Sequence, residues 1–464
     1  MKTKTSSKEL GTQSIGSLLV KMGVPASIGI LVMSINFIVD TIFVGHFVGT
    51  LGIAAITVVM PISFFFSSVG MAIGVGGSSV ISRALGSGDG QKANVTMGNM
   101  ACLTVIMAMI VVVGGYFYNT PLLHLFGAQG DILDPAQRYF GILLTGIPCL
   151  AWAMMANNAM RAEGKPKKSM IAMMIPAITN IILDPILIVG FDLGLEGAAM
   201  ATTISYYAAA LYTLGFFMFG SSELATFWKY LRLQWEITRE IFSIGFVTLA
   251  RQGAVSLLTI VLNNALFQYG SELSVAIYGV INRVMMFANF PVLGVTQGFL
   301  PIAGYNYGAQ HWQRVKDTIR IAIVSGTGIA LIIFVGIMVF ARPLVELFTK
   351  DPELLEQGPA ALRMVFMATP LITAQLVGSA YFQAVGKPIP ALFLTLTKQG
   401  FFLVPLILVF PLFWGLDGVW ISFPVADVLA AGVTLWALRR EVKRSLNGFI
   451  RKDKAAVVKE KVLV

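Results

Sequence analysis

Long apolar stretches separated by short polar breaks recur from the N-terminus to about residue 440. Each stretch is of about 20 residues or more, enough for a helix to cross the hydrocarbon core of a bilayer. The pattern predicts twelve spans, at approximately 15–45, 51–80, 93–118, 133–158, 168–190, 195–219, 237–267, 273–302, 315–341, 358–381, 388–412 and 416–438. The breaks are too short to hold a soluble domain, so the pattern implies an all-α integral membrane protein. The opening residues, MKTKTSSKELGTQ, are polar and lack a small-residue cleavage site, so the first apolar stretch is expected to stay as a membrane helix.

Composition agrees: 56% of residues are hydrophobic and 12% charged, against about 25% charged in a soluble domain. The formal charge of +10 would suit nucleic acid were it not for where the charge lies. Of 33 Lys and Arg, 25 fall in 1–13, 83–94, 160–169, 220–240, 305–320, 383–390 and 439–464. The alternate connections hold only Arg342 and Lys350, with acids such as Asp131, Asp192, Glu272 and Asp351. Basic connections face the cytoplasm, so both termini are expected there, in a cytoplasmic (inner) membrane. The tail from 441 to 464 is a candidate for contact with anionic membrane lipid.

Sliding the chain on itself by about 221 positions brings landmarks into register. Pro121-Leu122-Leu123-His124-Leu125-Phe126 meets Pro343-Leu344-Val345-Glu346-Leu347-Phe348, and Gly164-Lys165-Pro166 meets Gly386-Lys387-Pro388. Gly194-Leu195-Glu196-Gly197 meets Gly415-Leu416-Asp417-Gly418. An even number of crossings returns the chain to its starting side, so the halves are parallel repeats. The expected organisation is a tail at 1–13, an N-lobe at 14–219, a linker at 220–236, a C-lobe at 237–440 and a basic tail at 441–464. Such repeats suit a transporter whose halves rock about a central site.

Against this symmetry, one polar pattern belongs to the first half alone. SINFIVDTIFVG sets Asn36 four residues before Asp40, and TNIILDPILIVG sets Asn180 four residues before Asp184. Residues i and i+4 share a helix face, and an Asp at the centre of a membrane helix costs roughly 2.5–3.5 kcal/mol on insertion scales. The repeat puts Asp40 near Val261, Asn180 near Phe401 and Asp184 near Val404. We expect Asp40 and Asp184 to share one cavity and to load and unload H⁺ or Na⁺; the alternative is a structural hydrogen-bonded pair. Tyr139, Asn157, Asn158, Thr202 and Thr203 are polar residues able to complete the network or only to bridge helices. Pro25 and Gly29 precede Asp40 in its helix and mark either a hinge or a static kink.

The second half instead places Arg251, Arg283 and Lys398 within predicted spans, with Gln252 and Asn282 beside them and Asp427 in the last. These cations either hold an anionic group of a substrate or lock helices together. An adaptable substrate wall is open to Asn36, Phe37, Met154, Met155, Met173 and Met286, although most such side chains pack in cores or face lipid. Gly164-Lys165 and Gly386-Lys387 precede Pro, not Ser or Thr, which argues against a nucleotide loop and ATP. His46, His124 and His311 are isolated, and Cys102 and Cys149 have no metal or redox spacing, so no structural metal is expected. An intramembrane aspartyl enzyme would also need two membrane Asp residues, but its Gly-x-Gly-Asp motif is absent at both.

With these residues in place, the chain resembles the multidrug and toxic compound extrusion (MATE) family, most closely its DinF-like bacterial and archaeal branch. The resemblance covers about residues 10–445 and rests on VDTIFVGHFVGTLGIAA, RALGSGD, MRAEGKPK, NIILDPILI, GLEGAAMATTIS and IAGYNYGA. It implies twelve helices in two six-helix lobes set in a V, and a monomer without a cofactor. It also implies export of amphipathic, often cationic small molecules against inward H⁺ or Na⁺. The implied coupling network is Asp40, Asp184, Tyr139, Asn157, Asn180 and Thr202, with Na⁺, if used, at Asp40, Asn180, Asp184 and Thr202. The family's bend in the first helix would map to Pro25. Another branch carries an acid in the seventh helix, where this chain has Arg251 and Gln252. A related superfamily flips lipid-linked sugars through cationic cavities, and the three second-half cations make that the alternative reading.

Overall fold

The computed structural model describes residues 6–450; the far ends of both predicted tails, 1–5 and 451–464, lie outside the described residues. Helices make up nearly all of the described chain, with no strand among the described residues. The spans are α1 (Ile15–Phe47), α2 (Thr50–Gly86), α3 (Gly90–Phe117), α4 (Leu133–Ala162), α5 (Pro166–Asp184) and α6 (Gly194–Phe219). The second set is α7 (Trp235–Tyr269), α8 (Glu272–Gly308), α9 (Trp312–Glu346), α10 (Pro352–Phe366 with Thr369–Ala384), α11 (Pro388–Leu396, continuing to Val409) and α12 (Pro411–Glu441).

Among the described residues, 10 helices are long and apolar enough to cross a membrane, or 11 when the two segments of α10, bent by 44° to one another, count as one span. The twelfth predicted span is α6, whose Thr202, Thr203, Tyr206, Tyr207 and Tyr212 dilute an otherwise apolar helix. Several helices outrun their predicted ends: α2 is 37 residues long because its amphipathic end, through Arg83, continues the coil beyond the apolar run.

The described residues form two compact units, one of Ile28–Leu249 with residues 6–9, the other of Leu10–Ser27 with residues 250–450. Two of the three boundaries fall inside long helices, α1 and α7, rather than in a connection; the third lies between Glu9 and Leu10, before α1.

The repeat is written in the backbone. Gly88, Gly164 and Gly194 take left-handed φ values of 79°, 75° and 52°, and their partners Gln310, Gly386 and Gly415 take 58°, 77° and 55°. At the Gly-Lys-Pro turns the amide of Lys165 donates to the Met160 carbonyl at 3.0 Å, and that of Lys387 to the Phe382 carbonyl at 2.8 Å, closing equivalent helix ends. In the Gly-Leu-acid-Gly motif the first glycine supplies the left-handed turn and the second a close approach. A Cβ at Gly197 would sit 2.7 Å from the Leu187 carbonyl oxygen, and one at Gly418 would sit 2.6 Å from that of Phe410. Small residues are the ordinary means of close helix packing in lipid, where hydrophobicity gives no drive.

Candidate functional site

Asp40 on α1 and Asp184 on α5 belong to the first unit and are both buried, at 8% and 0% exposure. They lie close enough to act on one another electrostatically. About three turns away along the same two helices Gly29 packs on Met173: a Cβ at Gly29 would lie 2.7 Å from the Met173 sulfur, so that side chain would have to shift. Around the acids, Asn180 Nδ2 donates to Asp184 Oδ1 at 3.0 Å and to the Thr202 hydroxyl at 3.4 Å. Tyr139 on α4 reaches Thr202 and senses the charge of both acids.

Asp184 ends the α-helical part of α5 and is followed by a π-helical turn, Pro185–Gly190. Pro185 brings no amide hydrogen, so the regular ladder cannot continue through it, and π turns of this kind recur at functional sites. The π turn is where Gly197 of α6 packs, through Leu187.

Three buried acceptors in this group have no hydrogen-bond donor: Asp40 Oδ1, Asp184 Oδ2 and Asn36 Oδ1. An unsatisfied buried polar group costs roughly 1–3 kcal/mol, more when charged. A proton on one acid, or a small monovalent cation among these oxygens and the Thr202 hydroxyl, answers that deficit. The described residues hold no group of three or more His, Cys, Asp and Glu suited to a metal ion.

Not every predicted member joins the cluster. Asn157 lies about five turns along α4 from Tyr139, roughly 27 Å, and its Nδ2 donates to the Ser169 carbonyl at 2.7 Å near the start of α5. The equivalent Ser379 donates to the Ala391 carbonyl at 3.5 Å, so this clamp belongs to the repeat scaffold. Asn158 likewise bonds locally, to the Met154 carbonyl at 2.9 Å, and accepts from Arg161 Nη2, also at 2.9 Å. Of the proposed apolar wall, Met155 is fully buried in the first unit's core beside Met100 and Ala156, because Gly74 admits its backbone. Met173 packs on Gly29, Phe37 lies 6.3 Å from the Phe64 ring, and Met154 is half-buried. Pro25 sits inside the continuous α1 and is buried.

Tyr206 escaped the sequence reading. It stands one turn beyond Thr202 on the same face of α6 and within the field of Asp40. Gly146 brings α4 against it, since a Cβ there would be 3.1 Å from the Tyr206 ring and 3.2 Å from Thr203 Cα. The signal was available: Tyr206 aligns with Asp427, an acid well inside the last span.

In the second unit Lys398 Nζ lies 2.5 Å from Asp427 Oδ1, on α11 and α12. Arg251 is half-buried, whereas Gln252, Arg283 and Met286 are exposed within their unit.

At the end of α4, outside the spans, Glu163 is fully buried. Its carboxylate accepts from the Ser222 hydroxyl at 2.8 Å and the Glu223 amide at 2.7 Å, while the Glu223 carboxylate accepts from the Ser7 amide and hydroxyl at 3.0 and 2.6 Å. Burial pushes Glu163 up to about 7, against the pull of those two donors and of Lys165.

A helical multi-pass protein with a doubled six-span plan and buried acids within its spans has the build of a secondary transporter rather than an enzyme. The chain belongs to the MatE family, whose profile matches residues 25–186 and 249–409. It is 29% identical over 413 residues, 89% of this chain and 91% of the relative, to the multidrug export protein MepA of Staphylococcus aureus (strain MSSA476). Among solved structures it is similar to an outward-facing multidrug resistance MATE transporter of the MOP superfamily, with TM-score 0.89 and 26% identity over 97% of this chain and 100% of that one. It is similar also to a MOP superfamily transporter from Pyrococcus furiosus Vc1 (DSM3638), whose reversed binding-pocket polarity is described as suggesting a different function; the TM-score is 0.89 and identity 25%, over 96% of this chain and 100% of that one.

Proposed function

We propose that this transporter exports amphipathic, often cationic small molecules from the cytoplasm in exchange for inward H⁺ or Na⁺. The carrying observation is the cluster of buried acceptors without donors, Asp40 Oδ1, Asp184 Oδ2 and Asn36 Oδ1, in one unit. Two carboxylates in a low-dielectric site cannot both remain charged and unpaired without cost, so the site has a standing affinity for a positive charge. Loading it from outside neutralises the first unit, relaxes its packing and releases substrate outward. The lobes then rock, the cation leaves to the cytoplasm, and the freed carboxylates favour a new cationic substrate. Asp40, Asp184, Asn180 and Thr202 hold the ion, and Tyr139 and Tyr206 border it. Asn157 supports the helices from a distance, and Pro25 with Gly29 is the place where α1 can bend.

The protein works as a monomer in the cytoplasmic membrane with both termini inside, and needs no cofactor beyond the coupling ion. Relatives such as the Staphylococcus aureus multidrug export protein support the cargo class.

A second reading, transport of anionic lipid-linked cargo, draws on Arg251 and Arg283, for which the described residues provide no ion-pair partner.

Export of a cationic fluorescent dye from proteoliposomes under separately imposed H⁺ and Na⁺ gradients tests the proposal. Wild type should export under one gradient, and Asp40→Asn and Asp184→Asn should each lose most coupled export at normal membrane abundance. Wild-type export by both variants would overturn the assignment of coupling to these acids. Failure of wild type with cationic dye, together with movement of an anionic lipid-linked cargo, would select the second reading.

A further inference from the structure

The second unit's buried ion pair has a feature that a simple helix lock does not need. Lys398 lies about 15 Å along α11 from its start at Pro388, deep in the apolar layer. Its partner Asp427 is sealed, with 3% of its side chain exposed, whereas the Lys398 side chain is 21% exposed. The pair is therefore unevenly covered, with Lys398 its more open member. An ammonium facing hydrocarbon is penalised heavily, so the open side calls for a polar occupant.

The ammonium also has donors to spare. It carries three N–H groups, and its one close acceptor among the described residues is Asp427 Oδ1, which no well-aligned hydrogen bond reaches. The lysines of the two Gly-Lys-Pro turns are better used: Lys165 binds both the carbonyl and the hydroxyl of Ser221, and Lys387 binds Glu441 at 2.6 Å. Lys398 sits in a π-helical turn, Thr397–Leu403, just as Asp184 adjoins the π turn of the first unit. Each unit thus sets a charged residue within a span beside a break in its helix ladder, an acid in the first and a cation in the second.

We propose that Lys398 is the docking point for the carboxylate of zwitterionic substrates, with Asp427 holding the ammonium in place from behind. An ammonium–carboxylate contact is short and charge-assisted, and Lys398 still has N–H groups to make one without abandoning Asp427. This inference rests on the export of amphipathic cations proposed above. Lys398 would set which cations carrying an acid group are accepted, and Asp427 is a positioning residue.

The test uses the full chain in proteoliposomes and two dyes, a rhodamine with a free carboxylate and its methyl ester, a plain cation. Wild type should export both. A Lys398→Met, Asp427→Asn double variant removes both charges without stranding either. It should weaken binding and export of the free acid by roughly tenfold or more and leave the ester unchanged. A Lys398→Glu, Asp427→Lys variant keeps an ion pair but exposes the anion; it should reject the free acid and keep the ester. Equal loss of both dyes, or undiminished export of the free acid by either variant, would show a helix lock and overturn the proposal. Wild-type export of the ester alone would defeat this inference while leaving the export function standing; export of neither dye would defeat both.

Discussion

The two units share a backbone plan and differ in the charged side chains they carry at matching positions. Where the first holds Asp40, Asp184 and Glu163, the repeat gives the second Val261, Val404 and Val385. Where the second holds Arg251, Arg283 and Lys398, the first has apolar or small residues near Gly29, Pro61 and Pro176. The left-handed turns at Gly164 and Gly386, and at Gly194 and Gly415, are meanwhile kept almost to the degree. Turns and close approaches are properties of the helix arrangement, so both units need them. Buried charge is expensive in either: the second unit also buries an acid, Asp427, but sets Lys398 against it, and the first buries Arg161, which donates to Asn158.

The units also differ in how far their charges are satisfied, and this asymmetry can be broken. Asp427 has a cation against it; Asp40 and Asp184 have none among the described residues, and each keeps an oxygen without a donor. The largest effect should come from stranding Lys398. Asp427→Asn removes one member of a buried pair and should destabilise the protein by about 3–5 kcal/mol, read as a lowered unfolding temperature in detergent.

A second probe is Glu163, whose counterpart Val385 is buried and apolar. Its ordinary value of 4.5 rises to about 7 in the folded protein, so the native state holds more protons than the unfolded chain between those limits. Stability is then greatest at the acid end and falls as pH climbs through that window, by roughly 3 kcal/mol if the whole burial penalty is realised. Glu163→Gln should flatten the fall in a series of unfolding temperatures from pH 5 to pH 8; an unaltered slope would place the titration elsewhere.

Asp184→Asn should move stability in the opposite direction to Asp427→Asn. Neutralising an acid that lacks a cation removes a desolvation cost, and the variant should be as stable as wild type or more stable by about 1–3 kcal/mol, while coupling is lost. A stability loss equal to that of Asp427→Asn would erase the difference between the units. The smallest effect belongs to the shared scaffold: Asn157→Ala should cost about 1 kcal/mol, one hydrogen bond, with the coupling ion unchanged. A change in ion dependence in that variant would return Asn157 to the coupling site.

The sequence made a good deal of this legible. The i, i+4 spacing put Asn180 against Asp184, as the 3.0 Å hydrogen bond shows, because a helix face is a local property. Gly29 and Gly146 could not be read the same way: what makes them matter is the partner across the gap, Met173 or Tyr206, on a helix distant in the chain. Met155 illustrates the converse. As a sequence element it could line a cavity or fill a core, and its neighbours on α2 and α3 settled the matter.

By itself the sequence determined the membrane class, the approximate spans, the repeat and the unequal placement of acids and cations, since all of these follow from hydropathy, periodicity and charge along one dimension. The tertiary structure alone decided which polar groups meet. It brought Asp40, Asp184, Thr202 and Tyr206 together, sent Asn157 to a clamp about 22 Å along α5 from Asp184, and gave Lys398 a partner. Side-chain reach is a few ångströms, and only the packing of helices remote in sequence fixes which groups fall within it.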